Sequence, residues 1–352
     1  MFKKKKENKD SRYQTLTVRE VVEVAKDAVN LVFDKPGSFS YEPGQFITLI
    51  KEVNGKKIRR AYSLCTTPLE DEHPAVTVKR VEGGAMSNDL NDNVSVGDHL
   101  EIMEPMGMFT TTYDQANERN AVFFGGGSGI TPLMSILRSI LLKEPKSKVS
   151  LVYGNRSEEY IIFNDLIKSL EEKYPDRFRA IHILENGSAE YSGRPSEEMI
   201  LDICSSLTVD SNTEVFICGP QPMMDLVSGA MPKAGVSSDL VRMESFEAGK
   251  TSPTEIIDAE NAESEVTIVL DGEEYEITVP RNAAILDTAL DNNLDMPYSC
   301  QSGLCTACRG KCIEGKVSID EAEGLSQEEL DEGFVLTCVG KPLSDRLKIE
   351  MG

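Results

Sequence analysis

Three rhythms of apolar and polar residues run along the chain. Residues 13–113 mostly alternate and carry turn residues between the alternating runs. This pattern predicts strands near Thr15–Ala25, Ala28–Asp34, Gln45–Lys51, Ile58–Leu64, Ala75–Val81 and His99–Met103. One short helix is expected from Ser87 to Leu90. The segment reads as an antiparallel sheet or β-barrel. Residues 118–246 differ. Ala121–Phe124, Val149–Tyr153, Ala180–Leu184 and Glu214–Cys218 are short apolar runs separated by helical patterns. In one of these, Leu133, Ile136, Leu137, Ile140 and Leu141 recur at helical spacing. Such alternation predicts an α/β domain with a parallel sheet and crossover helices. Residues 265–352 open with Val266, Ile268 and Leu270, a turn at Asp271-Gly272, and Tyr275, Ile277 and Val279, which is a hairpin signal. Asn282 is expected to cap a helix whose apolar face is Ile285, Leu286, Ala289 and Leu290.

Between the second and third rhythms, residues 247–264 are polar, acidic and poor in large apolar side chains, and read as a linker. Residues 1–12 read as a disordered basic tail. There is no internal repeat. The 352 residues suffice for two or three domains. Acidic side chains number 59 against 37 basic ones, a net charge of −22, which argues against a nucleic-acid surface. Half of that charge falls in residues 265–352, with 18 acidic and 7 basic side chains, a net of −11. No apolar segment follows the basic start, and Val122–Leu142 is broken by glycines, Pro132 and Arg138. Neither an export signal nor a membrane span is expected.

Eight cysteines are too few for a disulfide scaffold, but five of them lie between Cys300 and Cys338. That clustering predicts a metal site in a reducing, cytoplasmic compartment. Cys300, Cys305 and Cys308 form C-x4-C-x2-C, and Cys338 follows after 29 residues. This is the plant-type spacing for a [2Fe–2S] cluster. Small residues in the loop let backbone N–H groups point at the sulfurs. A four-cysteine zinc site is the alternative, although zinc usually takes two C-x2-C pairs and only one is present. Cys312 lies outside the pattern, either as a redox-active thiol or as a buried strand side chain. Cys65 and Cys204 read as buried structural thiols. The run Met296-Pro297-Tyr298-Ser299-Cys300 through Cys308, with Leu336-Thr337-Cys338, resembles plant-type ferredoxins. That resemblance implies an α+β β-grasp domain over residues 265–352.

Two motifs stand out in the first rhythm. Arg60-Ala61-Tyr62-Ser63 ends a predicted strand. An Arg suits a pyrophosphate, a Tyr can stack on a flat ring, and a Ser can bond a ring nitrogen. Gly83-Gly84-Ala85-Met86-Ser87 follows a strand and opens a helix, where free N–H groups would hold a phosphate. Each motif alone also fits an ordinary strand or turn. Together they resemble the flavin domain of the ferredoxin–NADP reductase superfamily. The resemblance implies that Arg60 binds pyrophosphate, Tyr62 packs on the isoalloxazine and Ser63 approaches N5. Gly84, Met86 and Ser87 would hold the FAD phosphates, with Ala61, Lys79 and Ala85 in the same cofactor set. Pro105, Gly107 and Phe109 fit the family's P-x-G-x-F segment near that cofactor. FMN instead of FAD stays open.

Gly125 to Pro132 (GGGSGITP) lies between a predicted strand and helix, as in loops that approach a pyrophosphate. It departs from G-x-G-x-x-G, because Ile130 and Pro132 occupy possible third-glycine positions. It is also no nucleophile elbow, since Ile130 stands where G-x-S-x-G needs glycine. The loop resembles the nicotinamide motif of the same superfamily, which implies coenzyme contacts for Gly126, Gly127, Thr131 and Pro132. Thr131 would sit near both reacting rings. Ile217-Cys218-Gly219-Pro220 resembles the family's C-G-P motif, with Cys218 near nicotinamide C4 and Gly219 and Pro220 beside it. Glu244-Ser245-Phe246 resembles its E-x-F ending. There the acid approaches the reaction centre and the aromatic covers the flavin. Ser63, Thr131, Cys218 and Glu244 are thus the candidate catalytic set. Asn155, Arg156 and Ser157 follow the second strand, where coenzyme choice is made. Arg156 and Ser157 suit a 2′-phosphate and Glu158 opposes it. NADPH is favoured, with NADH the alternative.

Flavin, nicotinamide and ferredoxin segments in this order are similar to the reductase components of multicomponent oxygenases, most of all the phenylacetyl-CoA epoxidase reductase type. The implied chemistry is hydride transfer from NAD(P)H to FAD, then single electrons through [2Fe–2S] to a terminal oxygenase or other electron-acceptor protein. Asp320, Glu321, Glu323, Glu328, Glu329, Asp331 and Glu332 form either a docking face for a basic partner or a solvated surface. Two other functions stay open. One is a self-contained reductase of a small molecule. The other is a redox-sensing or regulatory electron-transfer subunit of a non-oxygenase complex.

Overall fold

The computed structural model describes residues 13–246, 262–318, 322 and 324–351. The basic tail and most of the linker lie outside these, as do Asp320, Glu321 and Glu323. The chain divides into two compact units at Phe246/Glu247.

The first unit begins with β1 (Tyr13–Ala25), β2 (Ala28–Phe33), β3 (Phe46–Val53), β4 (Lys56–Ser63) and β5 (Ala75–Lys79). Helix α1 (Ala85–Asn93) and β6 (His99–Met106) follow. The strands pair antiparallel in the order β4-β3-β6-β1-β2-β5. A bridge between Leu64 and Val76 joins the two edges, so the sheet curls into a barrel. Asn54 and Gly55 both take positive φ in the β3–β4 turn, which matches the twist of a two-residue hairpin. Alternation buries Leu16, Leu31, Ile47, Leu49, Val76 and Ile102 inside. Helix α1 begins at Ala85 and outruns the expected Ser87–Leu90 at both ends.

The second half of this unit contains β7 (Asn120–Gly126), α2 (Ile130–Lys143), β8 (Lys148–Asn155) and α3 (Asn164–Lys173). It continues with β9 (Phe178–Leu184), β10 (Tyr191–Ser192), α4 (Glu197–Ser206), β11 (Thr213–Cys218), α5 (Gln221–Ala230) and β12 (Val241–Glu244). All six strands are parallel, in the order β10-β9-β8-β7-β11-β12. The order reverses beside β7, so the carboxyl ends of β7 and β11 form a switch point where ligands bind. Arg119 ties the preceding connection down. It donates to Thr112 O at 2.6 Å and to Glu214 at 2.9 Å, and it pairs with buried Glu144.

The second unit holds β13 (Glu263–Leu270), β14 (Glu273–Pro280), α6 (Ile285–Asp291), β15 (Arg309–Glu314), α7 (Gln327–Asp331), β16 (Phe334–Leu336) and β17 (Arg346–Met351). Its mixed sheet runs β14-β13-β17-β15-β16. The Asp271-Gly272 turn is present with both residues at positive φ. The strand starts at Glu263, two residues inside the stretch read as linker. Asn282 does not cap α6, whose N-cap is Ala284. Two N–H groups at its start instead reach carbonyls across the fold, Ile285 N to Gly340 O at 3.1 Å and Leu286 N to Thr337 O at 2.9 Å. A tertiary acceptor has replaced the local one.

Candidate functional site

The Arg60–Ser63 motif occupies the end of β4, an edge strand of the barrel sheet. Along β4, Arg60 and Ala61 are exposed, Tyr62 is half-buried and Ser63 is buried. Burial pushes the Tyr62 phenol up, so it stays neutral. Gly83 takes φ +70°, and Gly84 leads into α1 with no side-chain cap and no acid in the first turn. Those helix-start N–H groups are open to an anion. A Cβ on Gly84 would lie 2.7 Å from Ser87 Oγ. Met86 and Ser87 are buried beneath the turn, and the Val81 N–H donates to Ser87 Oγ at 3.1 Å. Ser87 therefore braces the loop through its side chain.

Phe109 lies in the protein interior. It is buried and packs edge-on against Phe216 at 6.0 Å, while Phe216 stacks on Phe123 at 4.7 Å. The ring joins the core beneath the parallel sheet. Gly107, at φ +121°, reverses the chain just before it.

At the switch point, register assembles what the sequence scatters. Tyr153, Gly125, Cys218 and Glu244 are successive partners across β8, β7, β11 and β12. Cys218 and Glu244 are buried neighbours. Burial, and then the Glu244 charge, hold the Cys218 thiol well above its usual range, so it is a neutral group. The loop Gly127–Gly129 lies against the end of β11. A Cβ on Gly129 would stand 2.0 Å from Cys218 O, and one on Gly126 would stand 2.6 Å from Pro220 Cδ. A Cβ on Gly219 would be 2.9 Å from Gly126 N. At Gly129 backbone meets backbone alone, so no side-chain movement makes room for a Cβ there. Tyr153 OH donates to Gly127 O at 2.7 Å, and Thr131 Oγ1 to Ser128 O at 2.9 Å. Pro132 lies in the first turn of buried α2. Phe246, two residues past β12, is 48% exposed.

The two halves share a cationic corner that the sequence did not assemble. Lys79, ending β5, places Nζ 3.0 Å from where a Gly127 Cβ would be. Arg156, just past buried Asn155, lies over the Tyr160 ring at 5.0 Å, with Lys26 at 5.0 Å and Lys79 at 5.8 Å. Ser157 is half-buried beside them. Burial and the neighbouring Arg156 charge lower the Lys79 pKa, outweighing a weaker pull from Asp27. Glu159 is engaged by Lys26 at 2.9 Å. Lys26 and Tyr160 were invisible as site residues because 133 and 81 positions, counted from Glu159 and Lys79, separate the partners.

In the second unit the four predicted cysteines converge. Cys300 is in thiol contact with Cys305 and Cys338, and Cys338 with Cys308. These contacts pull the Cys300 thiol down and push Cys305 and Cys338 up, opposed or aided by burial. The arrangement is two thiol pairs joined by one contact. The Ser302 N–H donates to Cys300 Sγ at 3.5 Å. Thr337 N and Oγ1 both donate to Cys308 O, at 3.2 and 3.1 Å. A Cβ on Gly324 would meet Cys305 N at 2.9 Å, so this glycine seats the cluster loop. Cys312 lies in β15, half-buried, with its thiol donating to Glu314 O at 3.4 Å. Cys65 and Cys204 are buried, with their thiols pushed up by burial to about 12 and about 11.

Comparison with known proteins agrees with this layout. Residues 15–111 match an oxidoreductase FAD-binding domain, 123–229 an oxidoreductase NAD-binding domain and 268–343 a 2Fe-2S iron-sulfur cluster binding domain. The chain is 38% identical to the ferredoxin reductase component of 3-ketosteroid-9-alpha-monooxygenase from Rhodococcus rhodochrous, over 97% of both chains. It belongs to this family of three-domain ferredoxin reductase components. The reductase is an NAD(P)H-dependent oxidoreductase that uses FAD and a [2Fe–2S] cluster. It is also 31% identical to one of the subunits of 1,2-phenylacetyl-CoA epoxidase from Escherichia coli, over 96% of this chain and 97% of that one. Among solved structures, phthalate dioxygenase reductase matches 96% of the chain and 98% of its own length, at 26% identity and a TM-score of 0.62. No helix among the described residues is long and apolar enough to cross a membrane.

Proposed function

We propose that the reductase carries electrons from NADPH to a separate oxygenase component. The relatives are named as components of oxygenases, and that supports the acceptor class. Bound FAD and the cluster supply the conversion of a two-electron hydride into single electrons. The chain's own residues bind, orient and shield. Arg60 and the uncapped start of α1, with Gly84, Ala85 and Met86, hold the flavin's pyrophosphate, while Ala61 and Tyr62 line its ring and Ser63 faces N5. Gly126, Gly127, Pro132, Gly219 and Pro220 let the coenzyme lie on bare backbone at the switch point. Thr131, Cys218 and Glu244 frame the nicotinamide, and Phe246 covers the flavin face until it arrives. Cys218, held neutral, contributes shape and no charge. The thiolates of Cys300, Cys305, Cys308 and Cys338 hold the irons.

The cationic corner carries the choice of coenzyme. Lys79 and Arg156 converge at the end of β8, with Ser157 and Asn155 beside them; Glu159 is paired with Lys26, while Glu158, the acid that opposes a phosphate, is exposed to solvent. An added phosphate would relieve the repulsion between these cations. Anaerobic stopped-flow mixing with NADPH and with NADH tests this reading. Flavin absorbance should bleach first and cluster absorbance second, with tighter binding of NADPH. Equal affinity for both coenzymes would remove the 2′-phosphate assignment. Bleaching by neither would remove the function.

A further inference from the structure

Helix α2 is amphipathic in sequence yet buried all round. Every residue from Ile130 to Leu141 is buried. Leu133, Ile136, Leu137 and Ile140 join the core beneath the parallel sheet. The opposite face carries Ser135, Arg138 and Ser139, at i, i+3 and i+4, where a surface helix would meet water. Here that face meets the loop between β4 and β5 of the flavin barrel. Ser135 Oγ donates to Thr66 O at 2.6 Å, and Ser139 Oγ and Thr67 Oγ1 share a 2.7 Å hydrogen bond. Arg138 grips Asp71 through Nη1 at 2.7 Å and Nη2 at 3.0 Å, and reaches Glu70 at 2.8 Å. Thr67, Ser135 and Ser139 are fully buried and Arg138 is 8% exposed.

We infer that this polar seam is a positioning device that sets the distance between the flavin and the nicotinamide, and so the rate of hydride transfer. The inference rests on the proposed placement of Ser63 and Thr131 at those two rings. Both residues are close to the seam in sequence and on stiff elements. Ser63 lies three residues before Thr66, and the Leu64–Val76 bridge and the Cys65 N to Ala75 O bond of 2.9 Å hold the strand between them. Tyr41 OH and Thr66 Oγ1 add a 2.7 Å bond on the far side. Thr131 lies one helical turn before Ser135, about 6 Å along a rigid rod at 1.5 Å per residue. The seam therefore joins the two sides of the reaction centre by short, directional links.

Apolar side chains of similar volume would stabilise this contact about as well as a buried ion pair. They would also let α2 slide, because apolar contacts are not directional. Bidentate arginine and paired hydroxyls fix one register. A one-residue slip of α2 would break the bonds to Thr66, Glu70 and Asp71 and strand buried polar groups.

The test uses the full holoprotein in Arg138→Gln, Arg138→Lys and Ser135→Ala forms. Stopped-flow traces over a range of coenzyme concentrations separate the limiting rate of flavin reduction from coenzyme affinity. The charge-transfer absorbance of the coenzyme–flavin complex reports ring overlap independently of turnover. A displacement near 1 Å costs on the order of a hundredfold in rate. Arg138→Gln should lower the limiting rate at least about tenfold on that scale, weaken the charge-transfer band and change affinity little. Arg138→Lys should recover part of both signals. Ser135→Ala removes one neutral bond, folds with least risk and should lower the rate in the same sense. Wild-type rates and an undiminished band in folded, FAD-loaded Arg138→Gln or Ser135→Ala would overturn the inference. So would a lower melting temperature with no change in rate. If the unaltered protein is reduced by neither coenzyme, the proposed function fails and not the seam alone.

Discussion

Gly129→Ala isolates close approach from backbone strain. Gly129 has φ −60° and ψ −14°, a conformation that alanine adopts freely. The cost must therefore come from what the new methyl meets. It would lie 2.0 Å from Cys218 O, 2.4 Å from Cys218 C and 2.8 Å from Gly219 N, all backbone atoms at the end of β11. No rotamer change relieves this. To reach an ordinary separation near 3.4 Å, loop and strand end must part by about 1.4 Å along that contact. Overpacking of this kind costs roughly 1–3 kcal/mol. For a unit of this size that lowers the melting temperature by roughly 2–12 °C. A shift above 1 Å at the switch point should slow flavin reduction on the order of a hundredfold. Differential scanning calorimetry and anaerobic stopped-flow measure the two effects. Gly229→Ala is the control, since its added methyl meets nothing within 4 Å inside α5. It should stabilise by about 0.4–1 kcal/mol. If Gly129→Ala melts and reduces like the unaltered protein, the backbone-to-backbone packing is not what holds the crevice.

The two units should respond separately. Cys305→Ala should abolish the cluster's visible and electron-paramagnetic signals while hydride transfer to FAD persists, and full cluster content would refute the ligand set. Electron delivery to the acceptor should slow as salt rises, because Glu328, Asp331 and Glu332 sit on the acidic face around α7 and screening weakens steering. A salt-independent rate would assign that face to solvation. Glu329 is already partly committed, since it closes the Ser326 capping box and pairs with Arg309 at 2.7 Å.

Local signals carried far in this chain. Alternation, helical periodicity and turn residues located the main strands, the α2 pattern and the Asp271-Gly272 hairpin, since these depend on neighbours a few residues away. The cysteine spacing pointed to Cys300, Cys305, Cys308 and Cys338, which the fold brings into contact, for the same reason: most of the set lies in one short loop. The glycine loop was legible as a close-approach site, but not what it approached. Tertiary structure decided the rest. It gave α6 a cap from Thr337 and Gly340 carbonyls in place of Asn282, and sent Phe109 to Phe216. It drew Lys26, Lys79 and Arg156 around Tyr160. It also set Cys218 beside Glu244 through strand register. Above all it buried Ser135, Arg138 and Ser139, which read in isolation as the wet side of a helix. A sequence records which face of an element is polar. Whether that face meets water or a second polar surface depends on where a distant segment of the chain comes to lie.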